Sequence, residues 1–146
     1  MSYVVDTNVL ARTVHKNHPM QPVAKGAINK LLDQGETVCV LAQSLYEFWV
    51  MATRPMEANG FGMSVVEVQT KVADFETLLT LKTDRPEIYA EWKRLVTQHV
   101  VMGKPAHDAR IAAAMKVHGI SHLLTFNGGD FKRFQEITIV SPNEVQ

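Results

Sequence analysis

The chain is poor in three features: it has one cysteine, no excess of either charge and no long apolar run. Because Cys39 is alone, an intramolecular disulfide is excluded, and its apolar surroundings in residues 38–41 favour packing over reactivity. No segment approaches the roughly 20 apolar residues of a membrane-spanning helix, so no membrane partner is expected. The 15 basic and 15 acidic residues cancel, so any attraction to nucleic acid must come from local patches.

The length of 146 residues is enough for one hydrophobic core without help from disulfides or a structural metal. We therefore expect a single domain over residues 1–146. The composition, with 46% hydrophobic and 21% charged residues, is that of an ordinary globular protein. The first residues show no basic segment followed by an apolar run and a cleavage site, so a cytoplasmic location is expected.

Short β-prone runs alternate with segments of helical periodicity along the whole chain. The predicted strands cover residues 3–5, 37–41, 79–82, 122–125 and 137–140. The predicted helices cover residues 7–14, 22–32, 44–53, 65–79, 86–101 and 105–118. Ser64 and Glu67 form a capping-box pattern, and Gly35, Gly103 and Gly119 are predicted to end helices. This alternation indicates an α/β fold with helices layered on a parallel sheet.

Polar residues follow two of the predicted strands at the point where each strand ends. Asp6 comes directly after residues 3–5, and the turn at residues 125–130 follows a later strand. In parallel sheets, ligands bind beyond the carboxyl ends of the strands. Asp6 and this turn are therefore predicted to lie at the same edge of the molecule.

Asp6 has two interpretations that the local sequence does not separate. Asp, Thr and Asn all favour the N-cap position, so residues 6–8 could simply begin the next helix. Alternatively, the carboxylate of Asp6 binds a divalent cation at the sheet edge, and Thr7 or Asn8 holds it in position.

Glu47 is the only charged residue in the octet of residues 45–52. The surrounding helix is apolar almost all round, a pattern that predicts burial. A buried carboxylate needs a compensating partner. That partner could be a metal ion, or it could be Arg54 or Arg12 in an ordinary salt bridge.

Two more acids occur late in the chain. Asp108 is predicted in the first turn of a helix, where the helix dipole alone would favour an acid. The small residues 112–114 would let that helix lie close to the sheet and bring Asp108 toward the strand ends. Asp130 could be a fourth carboxylate or a cap, and Asn127 belongs to a common Asn-Gly turn pair.

Together these residues resemble the PIN-domain family, and particularly the VapC-type toxins of bacterial toxin–antitoxin pairs. The resemblance rests on residues 4–10 (VVDTNVL), 43–48 (QSLYEF) with 53–55 (TRP), 107–113 (HDARIAA), and 123–127 (LLTFN) with 130–131 (DF). These blocks span nearly the whole chain and stand in the family's order. The resemblance implies a three-layer α/β/α fold with a central parallel sheet of four to five strands.

The resemblance also implies an endoribonuclease whose metal is held by Asp6, Glu47 and Asp108. The family's fourth position corresponds to Asn127, which carries no charge, so Asp130 is considered in its place and the number of metals is left open. Crowded carboxylates favour a hard cation such as Mg²⁺ or Mn²⁺. Zn²⁺ is less expected because no His or Cys cluster accompanies the acids.

The remaining expectations concern supporting residues and partners. Thr7, Asn8, Thr125 and Asn127 are expected to support the site. RNA phosphate could be contacted by Arg12, Arg54, Lys104 and Arg110, although each is more often a solvated charge or a helix-end partner. Trp49 and Trp92 are interpreted as core residues rather than base-stacking platforms. The resemblance implies an RNA substrate, an antitoxin protein as inhibitor, and a homodimer.

Two other functions are considered. The first is a non-catalytic PIN-like module that binds RNA or protein, its metal site weakened by Asn127. The second is a phosphohydrolase that uses Asp6 as a covalent nucleophile. The second is disfavoured because haloacid-dehalogenase-like enzymes have another aspartate two residues later, where this chain has Asn8.

Overall fold

The computed structural model describes residues 1–145, which form five strands and six α-helices. The strands are β1 (Ser2–Val5), β2 (Thr37–Leu41), β3 (Thr80–Lys82), β4 (His122–Leu124) and β5 (Thr138–Val140). The helices are α1 (Thr7–Val14), α2 (Gln21–Asp33), α3 (Ala42–Thr53), α4 (Val65–Leu78), α5 (Glu87–Gln98) and α6 (Pro105–His118). Short 3-10 helices cover Met56–Ala58, Gly128–Phe131 and Pro142–Glu144.

The strands form one parallel sheet in the order β3-β2-β1-β4-β5. Three pairs of strands are consecutive in the chain and adjacent in the sheet: β1 and β2, β2 and β3, and β4 and β5. At least one helix connects the strands of each pair, because parallel strands need a crossover connection. The predicted parallel sheet is confirmed, and it has five strands, the upper end of the expected four to five.

The sheet separates two hydrophobic cores. Successive residues of a strand point to opposite faces, so Tyr3 and Val5 of β1 pack against one set of helices and Val4 packs against another. Residues of α1, α2, α3 and α4 fill the first core, and residues of α5 and α6 fill the second. The predicted three-layer α/β/α arrangement is confirmed.

The order of the strands fixes where a ligand can approach. From β1 the chain moves to β2 and β3 on one side, and it later returns to β4 and β5 on the other side. In open parallel sheets, ligands bind beyond the carboxyl ends of the strands at the point where the strand order reverses. That point lies between β1 and β4, directly before Asp6 and Thr125.

Several predicted helix boundaries are confirmed by their caps. Ser64 and Glu67 form the complete capping box of α4, and Gly119 follows α6 with a φ of 71°. The predicted end of α5 was wrong by three residues. The helix ends at Gln98, because Val100 rather than a glycine takes the left-handed position (φ 49°) and Val101 N–H then donates to the carbonyl of Val96 at 2.9 Å.

Among the described residues, every helix is too short or too polar to cross a lipid bilayer.

Candidate active site

Asp6 begins the helix that follows the central strand. As the N-cap of α1, it accepts a hydrogen bond at Oδ1 from the backbone N–H of Thr7 at 2.9 Å. Its Oδ2 accepts hydrogen bonds from Thr125 Oγ1 at 2.8 Å and from Asn8 Nδ2 at 3.2 Å. The capping role that the sequence left open is therefore present, and the second carboxylate oxygen is held against the end of β4.

The surroundings of Asp6 disfavour its negative charge. Only 8% of the residue is exposed. The pKa of Asp6 is raised from 3.8 to about 6: burial raises it most, hydrogen bonds from Thr125 and Thr7 lower it, and the negative charges of Glu47 and Asp108 raise it. A buried carboxylate with other carboxylates nearby is stabilised by a positive countercharge. This edge of the sheet therefore favours a cation.

Asn8 and Thr125 connect the ends of β1 and β4. Asn8 Nδ2 donates to Thr125 Oγ1 at 3.0 Å, and Asn8 Oδ1 accepts from the backbone N–H of Phe126 at 3.0 Å. Thr125 Oγ1 also accepts from the backbone N–H of Asn127 at 3.0 Å. Because Thr125 donates to Asp6, these hydrogen bonds fix both the strand ends and the orientation of the Asp6 carboxylate.

We predict that Asn8→Ala destabilises the fold by about 1–3 kcal/mol, because the N–H of Phe126 loses its partner at a partly buried position. Urea unfolding measures the free energy. Asn29→Ala is the control, since Asn29 is exposed on α2, and it should change stability by less than about 0.5 kcal/mol. Equal effects of the two substitutions would contradict the role assigned to Asn8.

Glu47 lies on an exposed face of α3, so the expectation of a fully buried helix was wrong. Its neighbours Tyr46 and Val50 are 63% and 56% exposed, whereas Leu45 and Phe48 enter the core. The apolar pattern predicted burial on all sides of α3, but apolar side chains of this helix also face solvent.

Neutral groups, not cations, hold Glu47. Its Oε2 accepts a hydrogen bond from Thr7 Oγ1 at 3.2 Å, and its Oε1 accepts one from Gln43 Nε2 at 2.8 Å. In residues 1–145 it makes no salt bridge, so neither Arg54 nor Arg12 is the partner that the sequence suggested. Thr7 thus bridges Asp6 and Glu47 through its backbone N–H and its hydroxyl.

Gln43 is a linking residue whose role sequence reasoning missed. It is 8% exposed, and its Nε2 donates to Glu47 and also to the backbone carbonyl of His107 at 3.1 Å. Its Oε1 accepts from Arg110 at 2.8 Å, and Arg110 pairs with Asp84 at 3.0 Å. The only local signal was a polar residue at the start of an apolar helix. Gln43 joins Glu47 to the turn of α6 that carries Asp108.

Asp108 lies in the first turn of α6, as predicted. The predicted close packing of this helix agrees with the burial of Ala112, Ala113 and Ala114. Burial raises the pKa of Asp108, and the negative charges of Asp130 and Glu47 raise it further. Asp108 therefore interacts electrostatically with the other acids at this edge.

In the turn after β4, Asp130 lies inside a short 3-10 helix, and Asn127 lies at its N-cap. Asp130 is exposed and lies within the 3-10 helix Gly128–Phe131, so it is not the cap of that segment. Asn127 occupies the cap position without a side-chain capping bond. Of the two, Asp130 is the residue whose charge affects Asp108.

The acids share one edge without forming a closed ligand shell. Within the part of the chain that the structure describes, no three His, Cys, Asp or Glu side chains lie close enough together to hold a metal ion. The donors at this edge are carboxylate, hydroxyl and amide oxygens, which suit a hard cation. In donor chemistry the residues fit Mg²⁺ or Mn²⁺.

Residues 3–137 match the PIN domain family, and the chain therefore belongs to that family. The matched range contains β1 and β4 as well as the helices that carry Glu47 and Asp108. The family that the four sequence blocks predicted is confirmed. No curated protein is significantly similar to this chain.

Solved structures share the fold at low sequence identity. VapBC2 from Rickettsia felis, bound to a promoter DNA fragment, has a TM-score of 0.74 and 18% identity, covering 97% of this chain and 98% of that chain. DNA-bound VapBC from Salmonella typhimurium has a TM-score of 0.69 and 18% identity, covering 97% and 98%. VapC20 from Mycobacterium tuberculosis, a toxin that cleaves the sarcin-ricin loop, has a TM-score of 0.67 and 17% identity, covering 90% and 94%. The likeness establishes the PIN-like three-layer fold.

Proposed function

We propose that this chain is a metal-dependent endoribonuclease and the toxin of a toxin–antitoxin pair. The observation that carries the proposal is the arrangement of acids at the carboxyl edge of the sheet, where Asp6 follows β1 and is linked to Glu47 through Thr7, and Asp108 lies in the turn of α6 that Gln43 links to Glu47. Membership of the PIN domain family and the fold shared with VapBC structures support it. Four acids at a ligand-binding edge suit phosphodiester hydrolysis, because the reaction builds negative charge that a cation must offset.

Asp6, Glu47 and Asp108 would hold Mg²⁺ or Mn²⁺ after moving closer together, since as placed in this structure they lie too far apart to share one ion. Asp130 would supply a fourth carboxylate beside Asp108. When bound, the cation supplies Lewis-acid chemistry, which activates water and stabilises charge on the phosphate. Thr125 orients Asp6 through its hydroxyl hydrogen bond, and it is itself held by Asn8.

Glu47 has two roles open to it. Because its hydrogen-bond donors, Thr7 and Gln43, are neutral, no partner within residues 1–145 cancels its negative charge. The carboxylate is therefore available either as a metal ligand or as the base that orients and deprotonates the attacking water. In both roles, the two hydrogen bonds fix its direction.

The partners follow from the same proposal. The solved VapBC structures named above are complexes with antitoxin partners, and we propose that an antitoxin protein binds and inhibits this chain. We further propose a homodimer acting on RNA in the cytoplasm. Co-expression with the product of an adjacent reading frame, followed by size-exclusion chromatography, tests both assemblies.

Metal removal is the direct test of the proposed activity. Purified protein should cleave RNA in Mg²⁺ or Mn²⁺, and excess EDTA should reduce the rate by more than about 100-fold, because no protein group replaces the cation's charge. Adding excess Mg²⁺ afterwards should restore the rate. Gel analysis of end-labelled RNA measures cleavage. Cleavage that persists unchanged in EDTA would end the proposal of a metal nuclease.

A non-catalytic RNA-binding module is the second candidate. It is favoured by the uncharged Asn127 and by the lack of a closed three-residue ligand cluster in residues 1–145. RNA binding without turnover in Mg²⁺, Mn²⁺ or any other divalent cation would support this candidate. Calorimetry that detects a tight Mg²⁺ or Mn²⁺ site would count against it.

A further inference from the structure

An aromatic cavity lies beside the acidic edge and is not used by the proposed chemistry. It has a volume of about 650 Å³, within the usual range for small-molecule sites. It is formed by the segment between β3 and α5, the first turns of α5 and one residue of α6; its lining residues are Asp84, Arg85, Pro86, Ile88, Tyr89, Trp92 and Arg110.

One aromatic side chain of this cavity is accessible, and the other is anchored. Tyr89 is 66% exposed, and its ring centroid lies 6.0 Å from that of Trp92 at an interplanar angle of 31°. Trp92 is half-buried, and its Nε1 donates to the backbone carbonyl of Ala106 at 2.7 Å. The sequence interpretation of Trp92 as a core residue therefore describes only part of its surface. Because the indole is anchored to the first turn of α6, it keeps Tyr89 supported from one side.

The cavity is physically connected to the acidic edge. Arg110 forms its wall, and it donates to Gln43, which in turn donates to Glu47. Arg110 also lies two residues after Asp108 in the same helix. A polymer bound across Glu47 and Asp108 would therefore reach the cavity with a neighbouring unit.

The charges of the lining suit a nucleotide. Two guanidinium groups and one carboxylate line the cavity. Arg110 pairs with Asp84 at 3.0 Å, so the charge that the lining leaves unpaired is that of Arg85. The side chain of Arg85 is 49% exposed, and its Nε lies 3.6 Å from Glu87 Oε2. Because such a solvent-exposed ion pair is weak, a phosphate could take the place of Glu87 as the partner of Arg85. An exposed aromatic face beside a guanidinium group is the arrangement that binds single-stranded nucleic acid through stacking and phosphate contact.

We propose that Tyr89, supported by Trp92, stacks an unpaired base of the RNA substrate next to the cleaved bond. The inference rests on the proposed function and deepens it by naming the residue that would bind a base of the substrate. A base inside a duplex is already stacked on its neighbours and cannot present its face to Tyr89.

The test separates binding from cleavage. Wild-type protein is mixed in Ca²⁺, in place of Mg²⁺, with a short single-stranded RNA that carries 5-iodouracil. The mixture is irradiated, and mass spectrometry locates the crosslinked residue. We expect the crosslink at Tyr89 or Trp92. Fluorescence anisotropy with the same RNA should give a Kd about 10-fold weaker for Tyr89→Ala and within about 2-fold of wild type for Tyr89→Phe, which keeps the aromatic face.

Met102→Ala is the matched control, because Met102 is 79% exposed and does not line the cavity. It should leave the Kd unchanged, and a duplex of the same sequence should bind equally to wild type and Tyr89→Ala.

If wild type cleaves RNA in Mg²⁺ but Tyr89→Ala binds normally and no crosslink forms in the cavity, the stacking proposal is overturned while the nuclease stands. If the crosslink forms at Tyr89 without cleavage in any metal, the nuclease proposal fails and the stacking site stands. If wild type binds no RNA, both are overturned.

Discussion

Asp6→Asn should reduce metal-dependent RNA cleavage by more than about 100-fold while the protein stays folded. Changing only an outer partner of a metal ligand already costs about 10- to 100-fold, and this substitution removes the charge of a proposed ligand itself. The fold should survive because asparagine is as good an N-cap as aspartate, so the hydrogen bond from the N–H of Thr7 is kept. Single-turnover cleavage in Mg²⁺ measures the loss.

Two controls distinguish lost chemistry from lost structure. Circular dichroism of Asp6→Asn should match that of wild type. Asp33→Asn removes a charge at the end of α2, which is not part of the acidic edge, and it should cleave at the wild-type rate. An Asp6→Asn protein that cleaves within a few-fold of wild type would remove Asp6 from the mechanism.

Without metal, wild-type protein should become more stable relative to Asp6→Asn as the pH falls from 7 to 4. The folded pKa of Asp6 is about 6, above the ordinary value of 3.8, so between these values the folded state binds the proton that the unfolded state releases. The free energy of unfolding therefore rises as the pH falls through 6, and the gain is complete below 3.8. The shift corresponds to about 3 kcal/mol.

The comparison with Asp6→Asn isolates this contribution, because asparagine does not titrate and other acids titrate in both proteins. Urea unfolding in EDTA at several pH values gives the difference between the two free energies. At pH 7 we expect Asp6→Asn to be the more stable protein, and by pH 4 that advantage should have disappeared. A difference that is constant with pH would show that Asp6 titrates normally in the folded state. Mg²⁺ at pH 7 should stabilise wild type and not the variant.

The features that the sequence predicted well depend on local chemistry. The capping box of Ser64 and Glu67 and the left-handed Gly119 are each decided within a few residues. The meeting of Asp6 with the turn after β4 is long-range, yet it was predictable because parallel strands present their carboxyl ends at one edge.

The features that the sequence did not predict depend on which face of a helix meets the core. The apolar residues of α3 gave no sign that Tyr46 and Val50 would be exposed beside Glu47. The contacts of Gln43 with His107 and Arg110 join residues more than sixty positions apart, and an uncharged side chain in an apolar helix gives no signal of them. The end of α5 was missed because Val100 adopts a backbone conformation normally left to glycine.

The central place of β1 has a consequence for how the protein is made. β1 leaves the ribosome well before β4, although β4 is one of its two neighbours in the sheet. Until residues beyond 124 have emerged, Asp6 has no Thr125 hydroxyl to orient it, and Asn8 has no Phe126 N–H to accept from. Because domains fold as units during synthesis, a growing chain cannot assemble the acidic edge early. Any activity that depends on the acidic edge therefore begins only after β4 and the turn that follows it have left the ribosome.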